Sequence, residues 1–155
     1  GQADDAFDLV TFGSSFNVTN RQKALIETKR ILKPRGWFAC MWNHRDLEDP
    51  IQKAIELIIS SSIEGYGYGT RREDQTSEIN VSGLFGRVNY IEGSIIHIQK
   101  TDELIEAWRS HATLHRQAGA TFAAIIKKIE CYIKDLDVDQ VKVPYRTKMW
   151  AAQLK

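Results

Sequence analysis

Cysteine is nearly absent: of 155 residues only Cys40 and Cys131 carry thiols, far apart and without CxxC spacing. A disulfide framework and a thiolate metal site are therefore not expected, and a reducing cytoplasm is the expected compartment. An excess of one charge is also missing. Lys+Arg 21 against Asp+Glu 20 leaves no large field to steer the chain onto nucleic acid or an anionic membrane. No apolar run approaches the roughly 18 to 20 residues that span a bilayer, and the stretch Gly-Gln-Ala-Asp-Asp has neither the basic nor the apolar region of a signal peptide. Internal repeats, low-complexity tracts and dividing linkers are absent too, so a single domain over residues 1–155 is expected, without nucleic-acid or membrane partners.

What the sequence does hold is a hydrophobic fraction of 43%, enough for the core of one domain. Residues 7–12 (FDLVTF) are apolar with little alternation, which predicts a strand covered on both faces, as in a parallel sheet. Thr19-Asn20-Arg21-Gln22 fits a capping box, with the Thr19 hydroxyl accepting from the Gln22 amide at the start of a helix running to about Leu32. Lys33-Pro34-Arg35-Gly36 predicts a type I turn, and residues 37–42 (WFACMW) a second strand. Strand, helix and strand within about 36 residues imply a βαβ crossover between parallel neighbours.

Asp49-Pro50 is a strong helix start, with Ile51, Ala54, Ile55, Ile58 and Ile59 as its buried stripe. Gly65-Tyr66-Gly67-Tyr68-Gly69 reads as a mobile or ligand-covering loop. A short helix near residues 77–84 precedes a long β-rich run at 88–99, whose Gly93 suggests a bulge. Thr101 is placed to cap the next helix, with Leu104, Ile105, Trp108 and Ala112 on one side, and Phe122, Ile125, Ile126, Ile129 and Ile133 stripe another. Alternation from Val141 to Trp150 predicts a last strand, with Pro144 at an edge or an irregular place.

In an open α/β sheet, ligands bind beyond the carboxyl ends of the strands. Gly13, Ser14, Ser15, Phe16 and Asn17 follow the first strand here, and Asn43, His44 and Arg45 follow the second. Gly13 would let a ligand approach the backbone, Ser14, Ser15 and Asn17 offer hydrogen-bond groups, and Phe16 an apolar wall; the alternative is that these residues satisfy a turn. His44 is a candidate general base, or else a donor to a loop carbonyl. Tyr66 and Tyr68, together with the tryptophans, either wall an apolar acceptor or serve as rim and core. Arg71-Arg72 would meet an acidic acceptor or form a solvated pair beside Glu73 and Asp74. His111 and His115 have the four-residue spacing of a zinc pair but lack a third ligand at motif spacing, so no metal is expected.

The stretch FDLVTFGSSFNVTNRQKALIETKRILKPRGWFACMWNHRD resembles class I S-adenosylmethionine-dependent methyltransferases of the type-11 group, from the fourth strand of their sheet through the fifth. The resemblance rests on the FDLV strand with its small, polar and aromatic end, the helix closing in RILKPRG, and the strand ending in WNHRD. It implies the carboxyl-terminal half of a Rossmann-like α/β sheet: parallel strands, a helical insertion, and an antiparallel last pair that lies beyond residues 37–42. It also implies S-adenosylmethionine as cofactor. Gly13, Ser14, Ser15, Phe16 and Asn17 would lie beside it, with Trp42, Asn43, Arg45, Tyr66 and Tyr68 toward a small-molecule acceptor and His44 as catalytic candidate. The chain departs from the family in three places. Asn17-Val18 replaces an aromatic pair, and Pro34-Arg35-Gly36 replaces Pro-Gly-Gly, with Arg35 expected at negative φ. The family's glycine-rich loop and acidic ribose ligand have no counterpart. The expectation is thus a carboxyl-terminal part of a methyltransferase domain, completed by an upstream half or a second chain, or self-associating. The alternative is a non-catalytic interaction or scaffold domain derived from that fold.

Overall fold

The computed structural model describes all residues, Gly1–Lys155. A four-stranded sheet has the order β1-β2-β4-β3, from β1 (Phe7–Gly13), β2 (Leu32–Arg45), β3 (Phe85–Lys100) and β4 (Gln140–Leu154). β1 and β2 are parallel, with Leu9 opposite Trp37 and Gly13 opposite Met41, and the remaining pairs are antiparallel. The expected βαβ crossover and the late antiparallel pair are both present. The crossover helix is α1 (Arg21–Ile31).

Two compact units divide the chain. The first comprises Gly1–His44, Gly69–Gly93 and Arg146–Lys155. Its core joins Phe16, Leu25, Phe38, Cys40, Trp42, Ile79, Phe85 and Trp150. The rings of Phe12, Phe16 and Phe38 meet at centroid distances of 5.3–5.8 Å, and Trp42 meets Trp150 edge-on at 5.9 Å. α3 (Thr76–Val81) is clamped to α1 by Arg21, which pairs with Glu78 at 3.1 Å and donates to the Gln75 amide oxygen at 3.2 Å.

The second unit, Arg45–Tyr68 with Ser94–Tyr145, is mainly helical: α2 (Pro50–Ser60), α4 (Thr101–Arg109), α5 (Ala112–Ala118) and α6 (Phe122–Asp135). Its core unites Ile55 and Ile59 of α2, Leu104 and Trp108 of α4, and Ile125, Ile129 and Ile133 of α6 with Val141 and Val143. α2 starts as its sequence dictates: Asp49 accepts from the amides of Ile51 and Gln52 at 3.1 and 3.0 Å, and Pro50 needs no partner.

Several local expectations are corrected. Asn20, not Thr19, caps α1: its side chain accepts from the Lys23 amide at 3.1 Å, while the Thr19 hydroxyl donates to the Phe16 carbonyl at 2.8 Å and closes the 3-10 turn Phe16–Val18. Lys33–Gly36, expected as a type I turn, falls within β2, where Arg35 takes φ +65° and the register against β1 shifts between Phe7 and Leu9. Gly36 is obligatory there, because a Cβ would stand 2.9 Å from the Lys33 carbonyl. Thr101 is the first residue of α4 rather than its cap, and its hydroxyl donates to the Val138 carbonyl. The Glu103 carboxylate accepts from the Lys100 amide at 3.1 Å. β1 is not covered on both faces: Leu9 is 53% exposed, and β2 is its one neighbour in the sheet.

Candidate functional site

The carboxyl end of β1 turns sharply. Ser14 takes φ +52°, a conformation that costs a non-glycine residue energy and recurs at ligand sites, and its amide donates to the Met41 carbonyl at 2.8 Å. This fixes the β1 end beside the β2 end. Gly13 has an ordinary φ, and no atom lies within 4 Å of where its Cβ would be, so the space over it is open. Ser14 is exposed and Ser15 half-buried.

Phe16 and Trp42 lie deeper than a surface lining. Both are fully enclosed in the first unit's core, and the Trp42 indole donates to the Asn17 side-chain oxygen at 3.0 Å. Asn17 therefore keeps its two amide N–H groups and one oxygen lone pair for another partner. Asn43 is exposed and its side-chain oxygen accepts from the Thr147 hydroxyl at 3.0 Å.

His44 is 4% exposed and neither ring nitrogen has a hydrogen bond of regular geometry. Burial, reinforced by the positive charges of Arg72, Arg71 and Lys148, pushes its pKa down to about 4, against a smaller opposing effect of the Arg71 backbone. It is neutral at pH 7, in the protonation state of a base, but a weak one. The segment above it is held by a residue that sequence reasoning passed over. Gln75, fully buried, donates to the carbonyls of Thr70 and Glu73 at 2.8 Å each and so shapes the Gly69–Arg72 turn, which packs against Phe16–Val18. Nothing in the sequence around Gln75 distinguishes it from an exposed glutamine before a short helix.

The tyrosines and Arg45 belong to the second unit. Tyr66 packs on its core and meets Tyr68 at 5.6 Å. The Tyr68 hydroxyl donates to Glu56, and both backbone polar groups of Gly67 bond the Gln117 amide. The loop expected to be mobile is thus pinned by α2 and α5. Arg45 stacks its guanidinium 4.2 Å from the Trp108 ring centroid. The histidine pair does not form a metal site. His111 caps α5, its Nδ1 accepting from the Leu114 amide at 3.1 Å, and His115 lies edge-on to Phe122; no group of side chains in the chain is arranged to hold a metal.

Comparison with known proteins converges on one group. Residues 1–40, from β1 through most of β2, match the family described as "Methyltransferase domain". An uncharacterised methyltransferase of Schizosaccharomyces pombe is 39% identical over 56 residues, which are 36% of this chain and 22% of that protein. The chain thus matches about a fifth of that relative. A candidate type II methyltransferase from Anaeromyxobacter dehalogenans shares the fold at TM-score 0.62 and 13% identity, over 99% of this chain and 67% of that one. No helix here is long and apolar enough to cross a membrane. The family match covers the first crossover, residues 1–40, and the fold along nearly the whole length is shared with a methyltransferase structure.

Proposed function

We propose that this chain forms the acceptor side of a methyltransferase domain that transfers a methyl group from S-adenosylmethionine to a small molecule. The observation that carries the reading is the β1 end, with its open backbone at Gly13 and the left-handed Ser14. A flat group can lie against Gly13 without displacing a side chain, and the hydroxyls of Ser14 and Ser15 would bond it, the Ser14 amide being committed to the Met41 carbonyl. Bound there, the cofactor would supply an electrophilic methyl group. The chain's own residues would hold the acceptor in line and give its proton a path. His44 would take that proton only from an acceptor acidic enough to yield it to so weak a base. Asn43, expected after the second strand, is instead among the last residues of β2, in the same unit as Gly13, which supports its assignment to the acceptor. In this reading Trp42 supports the site from within, through Asn17.

The open side of β1 supports a second part of the proposal. A strand with Leu9 53% and Phe7 38% exposed and one bare edge is a template for another strand. We assign to that edge the remaining strands of a full methyltransferase sheet, from upstream sequence or a second chain. The test is a titration of the full-length protein with S-adenosylmethionine, followed at the backbone amides of residues 13–17. Saturable shifts there are expected, and shifts elsewhere with none at residues 13–17 would refute the assignment.

A further inference from the structure

Arg45 is a cation that the fold holds firmly yet leaves without an anion. Its guanidinium carbon is 4.2 Å from the Trp108 ring centroid and 5.8 Å from that of Tyr145. It takes part in none of the chain's ion pairs, and its Nε is buried with no acceptor. Trp108 itself is 4% exposed; its indole N–H is likewise buried and unpartnered, while its ring stacks on His111 at 5.2 Å. A third orphan lies in the same unit: Gln52, on the first turn of α2, is 1% exposed and neither of its amide atoms has a partner.

Native proteins leave few buried polar atoms unpaired, and each one asks for a cause. Stacking accounts for the face of the Arg45 guanidinium and leaves its edge unused, where all five N–H donors lie. The indole N–H likewise lies in the plane of its ring, which cation–π contact does not engage. Core packing explains why Trp108 is apolar, large and buried. It does not explain why an arginine should be held over it with no carboxylate of the chain in reach.

We infer that Arg45, set in the aromatic slot of Trp108 and Tyr145 within the second unit, binds the carboxylate group of a small molecule. A single planar cation between aromatic rings matches a planar monoanion in shape and charge, and the two carboxylate oxygens match the guanidinium fork. The inference concerns the second unit alone and stands apart from the methyltransferase reading above. It makes Arg45 a binding residue of the second unit that takes no part in bond making.

The test follows the side-chain Nε–H resonance of Arg45 and the indole N–H resonance of Trp108 in the full-length protein, titrated with succinate and with its uncharged analogue succinamide, without cofactor. Succinate should shift both resonances saturably, and succinamide neither. Arg45→Gln should weaken the response at Trp108 by about tenfold or more, as loss of a charge-assisted pair requires, and Arg45→Lys should retain a weaker response. No shift, equal shifts with succinamide, a stronger response to inorganic phosphate, or an unchanged response in Arg45→Gln would overturn the inference. Because the cofactor is not in this titration, its outcome is independent of the S-adenosylmethionine titration that tests the methyltransferase reading.

Discussion

Acid should destabilise the first unit through His44, and the structure gives both sign and size. The imidazole has a folded pKa of about 4 and an ordinary value of 6.5, because burial first, and then Arg72, Arg71 and Lys148, disfavour its charged form. Between those values the unfolded chain binds the proton more readily. The contribution of His44 is therefore fully present above pH 6.5 and is lost as pH falls toward 4. At 1.36 kcal/mol per pKa unit, the loss between pH 7 and pH 5 is about 2 kcal/mol, growing to about 3 by pH 4. Carboxylates titrate in the same range, so the measurement is a difference: urea unfolding of the wild type and of His44→Phe at several pH values from 7 to 4. The ring in His44→Phe fills much of the same space and carries no proton. The wild type should lose about 2 kcal/mol more than the variant between pH 7 and pH 5. Parallel pH profiles would show that His44 takes up its proton equally readily in the folded and unfolded states, and the account of its environment would be wrong.

Other perturbations probe the neighbouring framework. Asn17→Ala strips the Trp42 indole of its acceptor in a closed core and should cost about 1–3 kcal/mol of stability by chemical denaturation, and an unchanged midpoint would mean that the bond contributes nothing. An alkylating reagent should label exposed Cys131 and spare Cys40, whose thiol burial pushes up to about 12, so mass spectrometry of the native protein should find one adduct, and a second at Cys40 would contradict the packing of β2. The 155-residue chain alone should self-associate through the bare edge of β1 in sedimentation, and Leu9→Lys should shift it toward monomer. A monomeric parent would remove the case for a strand partner at that edge.

Most elements were legible because their signals were local and unopposed. Asp49-Pro50 fixes the start of α2, and the isoleucines from Ile125 to Ile133 fix the buried face of α6. The adjacency of β1 and β2 followed from the short crossover, and the placement of the last pair from the family resemblance. Where the sequence misled, two chemically equivalent choices competed or a tertiary partner decided. Thr19 and Asn20 both offer a capping oxygen, and Asn20 prevails because the Thr19 hydroxyl closes the preceding turn. A single helix through residues 104–115 agrees with the apolar spacing, yet the imidazole of His111 caps a new one. The apolar run FDLVTF reads alike whether one face or two are covered.

The site was half visible. Its small, polar strand end was evident in the sequence, whereas the left-handed Ser14, the Gln75 brace and the slot around Arg45 arise from contacts between segments distant in sequence. The Tyr66–Tyr68 loop shows the same limit. Its glycines suggest freedom, and only the folded chain reveals Gln117 and Glu56 pinning it.

The central claim is that the end of β1 forms a wall of the cofactor site, and Gly13 tests it most directly. Its φ is ordinary and a Cβ there would have no atom within 4 Å, so Gly13→Leu strains no backbone and its side chain begins in open space. The added side chain would occupy the volume assigned to S-adenosylmethionine. Calorimetric titration of the full-length protein and its Gly13→Leu variant, with a thermal melt of each, separates binding from folding. The account predicts an unchanged melting temperature and at least about a tenfold loss of cofactor affinity, roughly 1.4 kcal/mol. Equal affinity in the two proteins would show that this strand end is only a turn.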